Sequence, residues 1–258
     1  MSDQPAFRKA LRLAAGVIVV VVMAATVQDL ARDSKPTLEE SSPDLATPSP
    51  TAPSQSRDPS APLLIDLIVS DADVGPSLLV AGMQGGNGLS QPTLDLCNGT
   101  YPSEERRTAR LQVRAVDRLG DTALSTEAVL YASGADTANA FTELRRTAEN
   151  CPPGPVDSPV GLPTVTTRFR PAPDANWPQV PQVERLAFAF DSIDPAGGDS
   201  THSVAVYLRR GRALLGVYFS HADAPTAVVE GKTALGDIVN IFAARLAKLP
   251  LAAISTTA

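Results

Sequence analysis

Two histidines, His202 and His221, have aspartates close by in Asp199 and Asp223. A His–Asp pair can act as a general base or as part of a metal site. Both histidines are expected at strand ends, where such residues are ordinarily just solvated, so no catalytic residue is assigned. Asp191 and Asp194 would suit acid–base work, but they adjoin Pro195-Ala196-Gly197-Gly198, and turn chemistry accounts for them. Arg106, Arg110 and Arg114 recur every four residues. On one strand face they would form a basic stripe, a candidate binding site for an anionic group such as a phosphate or a carboxylate. The plainer alternative is a solvated face paired across to Glu127. Cys97 and Cys151 are the two cysteines; in an oxidising compartment they form a disulfide, and otherwise they are two buried thiols. Two cysteines and two distant histidines lack metal-ligand spacing. No G-x-S-x-G, H-E-x-x-H or strand-borne G-x-G-x-x-G occurs. The chain is therefore read as non-catalytic, with no metal and no cofactor.

These residues need a scaffold, and the hydrophobic period supplies one. Leu63, Leu64, Leu67 and Ile68 suggest a short opening helix. The glycines between Gly82 and Gly88 lack the Lys and Ser/Thr of a phosphate loop and are read as a plain loop. From Arg107 the period is two: Arg107, Ala109, Leu111, Val113 and Ala115 on one face, Arg106, Thr108, Arg110, Gln112 and Arg114 on the other. A turn at residues 117–121 leads into a second strand over 124–131. Asp136 or Thr137 can cap a helix carrying Phe141 and Leu144, which ends near Asn150. Residues 152–181 hold 9 prolines and form an irregular connection with a brief strand at 165–169. Strands follow at 185–190, 203–209 and 213–219, the last two joined by a tight turn at Arg210-Gly211. Leu235, Ile238, Val239, Phe242, Leu246 and Leu249 form the stripe of a closing helix that Pro250 stops. The fold class is α+β: a mostly antiparallel sheet packed by two long helices laid on its apolar face.

Ahead of this unit the composition changes. Arg8, Lys9 and Arg12 precede an uncharged apolar run over residues 13–27. Charge asymmetry puts the basic side in the cytoplasm and the rest outside. The run is short for a full span and also suits a signal peptide, so a retained anchor and a cleaved leader both stay open. From Lys35 to Pro62 there are 7 prolines and 9 Ser or Thr in 28 residues, a composition that cannot offset ordering entropy and reads as a disordered spacer. The organisation expected is a cytoplasmic tail (1–12), a membrane helix (13–28), a linker (29–62), an extracellular domain (63–250) and a C-terminal tail (251–258). The net charge of −6 argues against nucleic acid as a partner. Asn98-Gly99-Thr100 matches a glycosylation sequon, and its simpler role is a turn beside Cys97.

Dispersed motifs add a resemblance. Leu96-Cys97, Tyr101-Pro102-Ser103-Glu104, the Arg-rich strand, Leu124-Ser125-Thr126-Glu127, Leu144-Arg145-Arg146 and Asn150-Cys151-Pro152 come in order. The run Asn240-Ile241-Phe242-Ala243-Ala244-Arg245-Leu246 and then Leu249-Pro250 complete the series. Over residues 63–250 the chain resembles the PknH-like extracellular sensor domain of actinobacteria. That resemblance implies a domain outside the membrane with a ligand cleft between sheet and helices. The family's domain occurs at the C-terminus of Ser/Thr kinases and in free-standing lipoproteins or anchored proteins. This chain departs from the kinase version in having about 12 residues before the apolar run and one cysteine pair instead of two, so kinase signalling is not carried over. The function expected is a membrane-tethered, extracytoplasmic, sensor-like binding protein. Its partner would be a small-molecule or envelope ligand, anionic if the arginines bind it. The alternatives are an envelope adaptor that binds a protein partner, and a hydrolase using His202 or His221.

Overall fold

Alternation builds the sheet. In the strand β2 (Arg107–Val116), Ala109, Val113 and Ala115 are buried on one side, while Arg110 and Gln112 point to the other. The computed structural model describes residues 58–157 and 164–255. Its seven strands are β1 (Leu79–Gly82), β2, β3 (Thr122–Tyr131), β4 (Thr166–Arg170), β5 (Glu184–Ile193), β6 (Ser200–Arg210) and β7 (Ala213–Phe219). They form one antiparallel sheet in the order β1-β2-β3-β7-β6-β5-β4. The β6–β7 hairpin turns on Gly211 and Arg212, one residue beyond the expected dipeptide, with Gly211 at φ +56°. A side chain at Gly211 would also run into the backbone of Ile254, so two constraints select glycine there.

The β2–β3 register shifts twice, between Ala115 and Val116 and between Arg107 and Ala109, and the second shift re-aims Arg107. Arg107 pairs with Tyr131 but Ala109 pairs with Leu130, so Thr108 is an extra residue, a β-bulge. Upstream of the bulge the faces exchange. Arg107 joins the face of Arg110, and Thr108 points to the opposite side, where its hydroxyl donates to Asp58. Arg106 lies before the strand, in a 3-10 turn over Pro102–Arg106.

The two long helices, α1 (Gly134–Glu149) and α2 (Leu235–Ala247), lie on opposite faces of the sheet rather than together on one. Ile238, Val239, Phe242 and Leu246 of α2 pack on Val204, Val206, Leu215 and Val217, with Leu64, Leu67 and Ile68 filling in beside them. Ala140, Phe141 and Leu144 of α1 pack on Val129, Tyr131, Tyr207 and Leu214. Strand β7 is buried at every position, as a two-sided strand must be. The cap of α1 is Ser133, whose Oγ accepts from the Asp136 N–H at 3.2 Å. Asp136 sits instead in the first turn, where its charge favours the helix.

The folded body is also wider than residues 63–250. Arg212 is fully buried and forks onto Asp58, with its Nε donating to the Ala253 carbonyl at 2.8 Å. One side chain thus ties both ends of the body to the β6–β7 turn. Ala253 and Ile254, in a short helix α3 (Leu251–Ile254), are buried. The anticipated membrane segment and most of the linker fall in residues 1–57, outside the described residues. Among the described residues no helix is long and apolar enough to cross a membrane.

Candidate ligand-binding site

The α1 side of the sheet is covered by the helix only in part. Beside α1 the cover is chain without regular structure, and it is held down by polar contacts. Arg107 does most of this: its NH1 donates to the Gln91 carbonyl and to Thr93 Oγ1, at 2.8 and 2.7 Å, and its NH2 to the Leu89 carbonyl at 2.8 Å. Glu104 accepts from the backbone N–H of Thr93 at 2.8 Å and of Leu94 at 3.3 Å. The disulfide Cys97–Cys151 then fixes the end of this segment to the residue that follows α1's C-cap, Asn150. Cys97 and Asn98 both sit in the left-handed region, at φ 54° and 50°. Asparagine adopts that conformation readily, whereas a cysteine does so rarely.

Under this cover lies a cavity of about 100 Å³. Its floor is the sheet: Phe190 and Ser192 of β5, Ser203, Ala205 and Tyr207 of β6, Tyr218 of β7 and Glu127 of β3. Its roof is the stretch from Pro92 to Asn98, with Val156 and Val165, joined by a β-bridge, at one side. The aromatic rings meet edge to face, Tyr207 against Tyr218 at 5.7 Å and Phe188 against Tyr207 at 6.2 Å. Gly216 makes room for this: a Cβ there would collide with the Tyr218 ring and hydroxyl. Tyr218 therefore lies flat along its own strand and donates to Glu127, which is opposite Gly216, at 3.3 Å.

Glu127 is the buried centre. It accepts from Arg110 Nε at 2.5 Å and from Thr93 Oγ1 at 2.8 Å. Asp95 sits at the rim of the same cavity. Burial above all, then repulsion by Glu127 and Glu104, pushes Asp95 up to about 7. Glu104 is raised to about 7 as well, by burial, against the opposing pull of Arg107. Burial lifts the phenols of Tyr207 and Tyr218 well above their ordinary value. Ser192 and Ser203, 3% and 1% exposed, line the cavity with hydroxyls that have no hydrogen-bond partner among the described residues. A buried polar atom left unpaired is costly and needs a reason.

No family model matches the chain, and no curated protein matches it. The fold is similar to that of the extracellular domain of PknH from Mycobacterium tuberculosis. The TM-score is 0.40 and the identity 10%, over 72% of this chain and 93% of that one. The likeness concerns the fold alone and transfers no residue.

The structure does not bring the three anticipated arginines together. Arg106 is exposed and lies 3.5 Å from Asp136. Arg110 is buried, and each of its three nitrogens already donates, to Glu127, to the Gly85 carbonyl and to Gln112. Arg114 lies further along β2, its Nε buried without a partner among the described residues. The cross-strand link to Glu127 is present, but inside the protein, not on a wet face. Of the glycines at 82–88, Gly82 ends β1 and pairs with Val113, while Gly85, Gly86 and Gly88 form a loop that docks by the Gly86 carbonyl on the Gln112 N–H.

His202 faces away from the cavity. Its Nδ1 is 3.1 Å from Asp191, which also binds Arg170 at 2.9 Å; Asp223 is 3.9 Å from Nε2. Asp191 is thus a strand residue in an ion cluster, not a turn residue. Its carboxyl, which burial would raise, is held low by Arg170 and then His202. Asp194 does make the turn, accepting from the Ala196 N–H at 2.8 Å. The neighbouring hydroxyls of Ser192 and Ser203 open to the other side of the sheet. His221 is exposed, at φ 54° in the loop after β7. Sequence reasoning passed over Asp95, Ser192, Ser203, Tyr207 and Tyr218. The one signal available was hydroxyls at positions where flanking residues demand burial.

Proposed function

We propose that this protein is a non-catalytic, extracytoplasmic, sensor-like binding protein, hung from the membrane by its N-terminal segment, that takes a small ligand into the cavity over β5, β6 and β7. The observation that carries the reading is the cavity with its two unpaired hydroxyls, closed by a segment that a disulfide holds in place. The disulfide fits an oxidising compartment, and the order of basic end, apolar run and Pro-rich stretch fits export.

The test is thermal denaturation of the full-length chain against a panel of small amines, alcohols, carboxylates, sugars and phosphates. The wild type is compared with Ala205→Trp, which fills the cavity from its floor. A ligand at a hundred times its Kd adds about 2.7 kcal/mol, or roughly 5–10 °C in a body of this size. The expected result is such a rise in the wild type and none in Ala205→Trp. Equal shifts in both proteins, or none in the wild type, would remove the cavity as the binding site.

A further inference from the structure

We infer that the cavity is built for a small alkylammonium ion: a positive N–H donor head on an apolar stem of a few carbons. The inference rests on the cavity being a binding site and adds the chemical class of what enters it.

The first argument is charge balance. Glu127 is neutralised by Arg110 and Glu104 by Arg107, at 2.5 and 3.0 Å. Asp95 has no such partner; Asp157, also in the lining, is exposed and accepts from Thr164. The lining therefore has surplus negative charge, and the cations nearby are already engaged. An anion would meet Asp95 with nothing to offset it. A cation would supply the missing charge.

The second argument is hydrogen-bond capacity. Ser192 Oγ and Ser203 Oγ are buried with no hydrogen-bond partner among the described residues, and each hydroxyl has lone pairs to offer a donor. An ammonium carries three N–H donors and no acceptor. Two hydroxyls and one carboxylate match three donors.

The third is shape. A cavity of about 150 Å³ holds benzene, so about 100 Å³ suits about four or five non-hydrogen atoms. Phe190, Tyr207 and Tyr218 form an aromatic wall of the kind that attracts organic cations. A hard metal ion is a poor match, since it asks for six or more oxygens. Among the described residues no group of three or more His, Cys, Asp or Glu is placed to hold one.

The carboxyl of Asp95, raised to about 7, gives the interaction a pH signature. An ammonium binds the ionised form, so affinity rises as pH climbs from 6 to 8 and binding releases protons.

The experiment is NMR titration of the full-length chain, with resonances of Ala205 and Tyr207 as reporters. The probes are butylammonium, its neutral analogue 1-butanol and its anionic analogue butyrate, at pH 6 and pH 8. Butylammonium is expected to bind at least tenfold more tightly than 1-butanol, several-fold more tightly at pH 8 than at pH 6, and butyrate not at all. In Asp95→Asn the preference over 1-butanol and the pH dependence both disappear while 1-butanol binding persists. Ser203→Ala weakens butylammonium several-fold and leaves the pH dependence. If 1-butanol or butyrate matches butylammonium, or Asp95→Asn keeps the preference, the cation class is overturned and the cavity remains a binding site. If no probe moves the reporters, the class is overturned as well. The cavity itself then stands or falls on the Ala205→Trp comparison.

Discussion

A single ion pair decides how the cavity side of the sheet is organised. Arg110 and Glu127 have side chains only 4% and 2% exposed, and the charges compensate each other where water cannot. Removing one partner leaves the other buried and bare, which costs about 3–5 kcal/mol. Replacing both by apolar groups of similar volume costs far less. Arg110→Ala is therefore expected to lose about 3–5 kcal/mol in urea denaturation, and Arg110→Met with Glu127→Met to recover most of it. An Arg110→Ala protein within about 1 kcal/mol of the wild type would show that water reaches Glu127. Both residues are plain in the sequence, and so is their cross-strand relation. Their burial is not, because it depends on the covering segment that Arg107 clamps down. The bulge at Thr108, which turns Arg107 toward that segment, leaves no compositional mark. The same holds for Gly216, whose missing Cβ lets Tyr218 lie across it.

At the level of elements, the regular strands were legible because each repeats a period of two or runs continuously apolar. All six anticipated strands and both long helices stand within a few residues of where the pattern put them. β1 was missed: at four residues it shows too little alternation, and its evidence is its pairing with β2. The placement of the helices on both faces was also missed. The signal was there in residues 203–208 and 213–219, apolar on even and odd positions alike, which a one-sided sheet does not need. The roof of the cavity is an element of another kind, irregular chain tied at one end by Cys97–Cys151. A crosslink spanning 54 residues constrains the unfolded chain by roughly 4 kcal/mol. The sheet keeps its own pairing without it. The Cys97→Ser, Cys151→Ser double variant should thus fold, with a lower Tm. Amide exchange should speed up over residues 89–98 and the last turn of α1, while β3, β6 and β7 stay protected. Loss of protection throughout the sheet would mean that the crosslink, not the two apolar layers, holds the molecule together.

For the whole molecule the cavity is assembled from stretches near residues 95, 127, 156, 190, 203 and 218. They meet because the strand order sets β3, β7, β6 and β5 side by side. That order is a tertiary fact, so the site was not legible even though its strands were. It also gives the protein an unusual balance of carboxylates. Asp58 is brought down to about 2: burial would raise it, but hydrogen bonds from Arg212, then from Thr108 and the Ser60 N–H, outweigh that. In Asp73 burial is likewise outweighed, by Arg245 and then by Ser70, and Asp191 is held low in the same way. Groups held low favour folding above their ordinary range, and that contribution is lost as pH falls through about 4 and below. Asp95 and Glu104 act oppositely. Burial first, then repulsion by Glu127, outweighs the nearby Arg110 and Arg107 and raises both to about 7. Their contribution is complete below about 4 and is lost as pH rises through about 7, because the native state must then carry charges it disfavours. Stability should therefore peak at about pH 4, where the two windows meet, and fall up to about pH 7 before levelling off. Calorimetry of the ligand-free chain at pH 5, 6, 7 and 8 should show Tm declining with pH. Asp95→Asn and Glu104→Gln should each flatten the decline, and Asp95→Asn should raise Tm at pH 8. A Tm that climbs from pH 5 to pH 8, or an Asp95→Asn slope equal to the wild type's, would place these carboxyls in contact with water. A cation seated beside Asp95 should reverse the trend, since it stabilises most where the empty cavity is least comfortable, above pH 7.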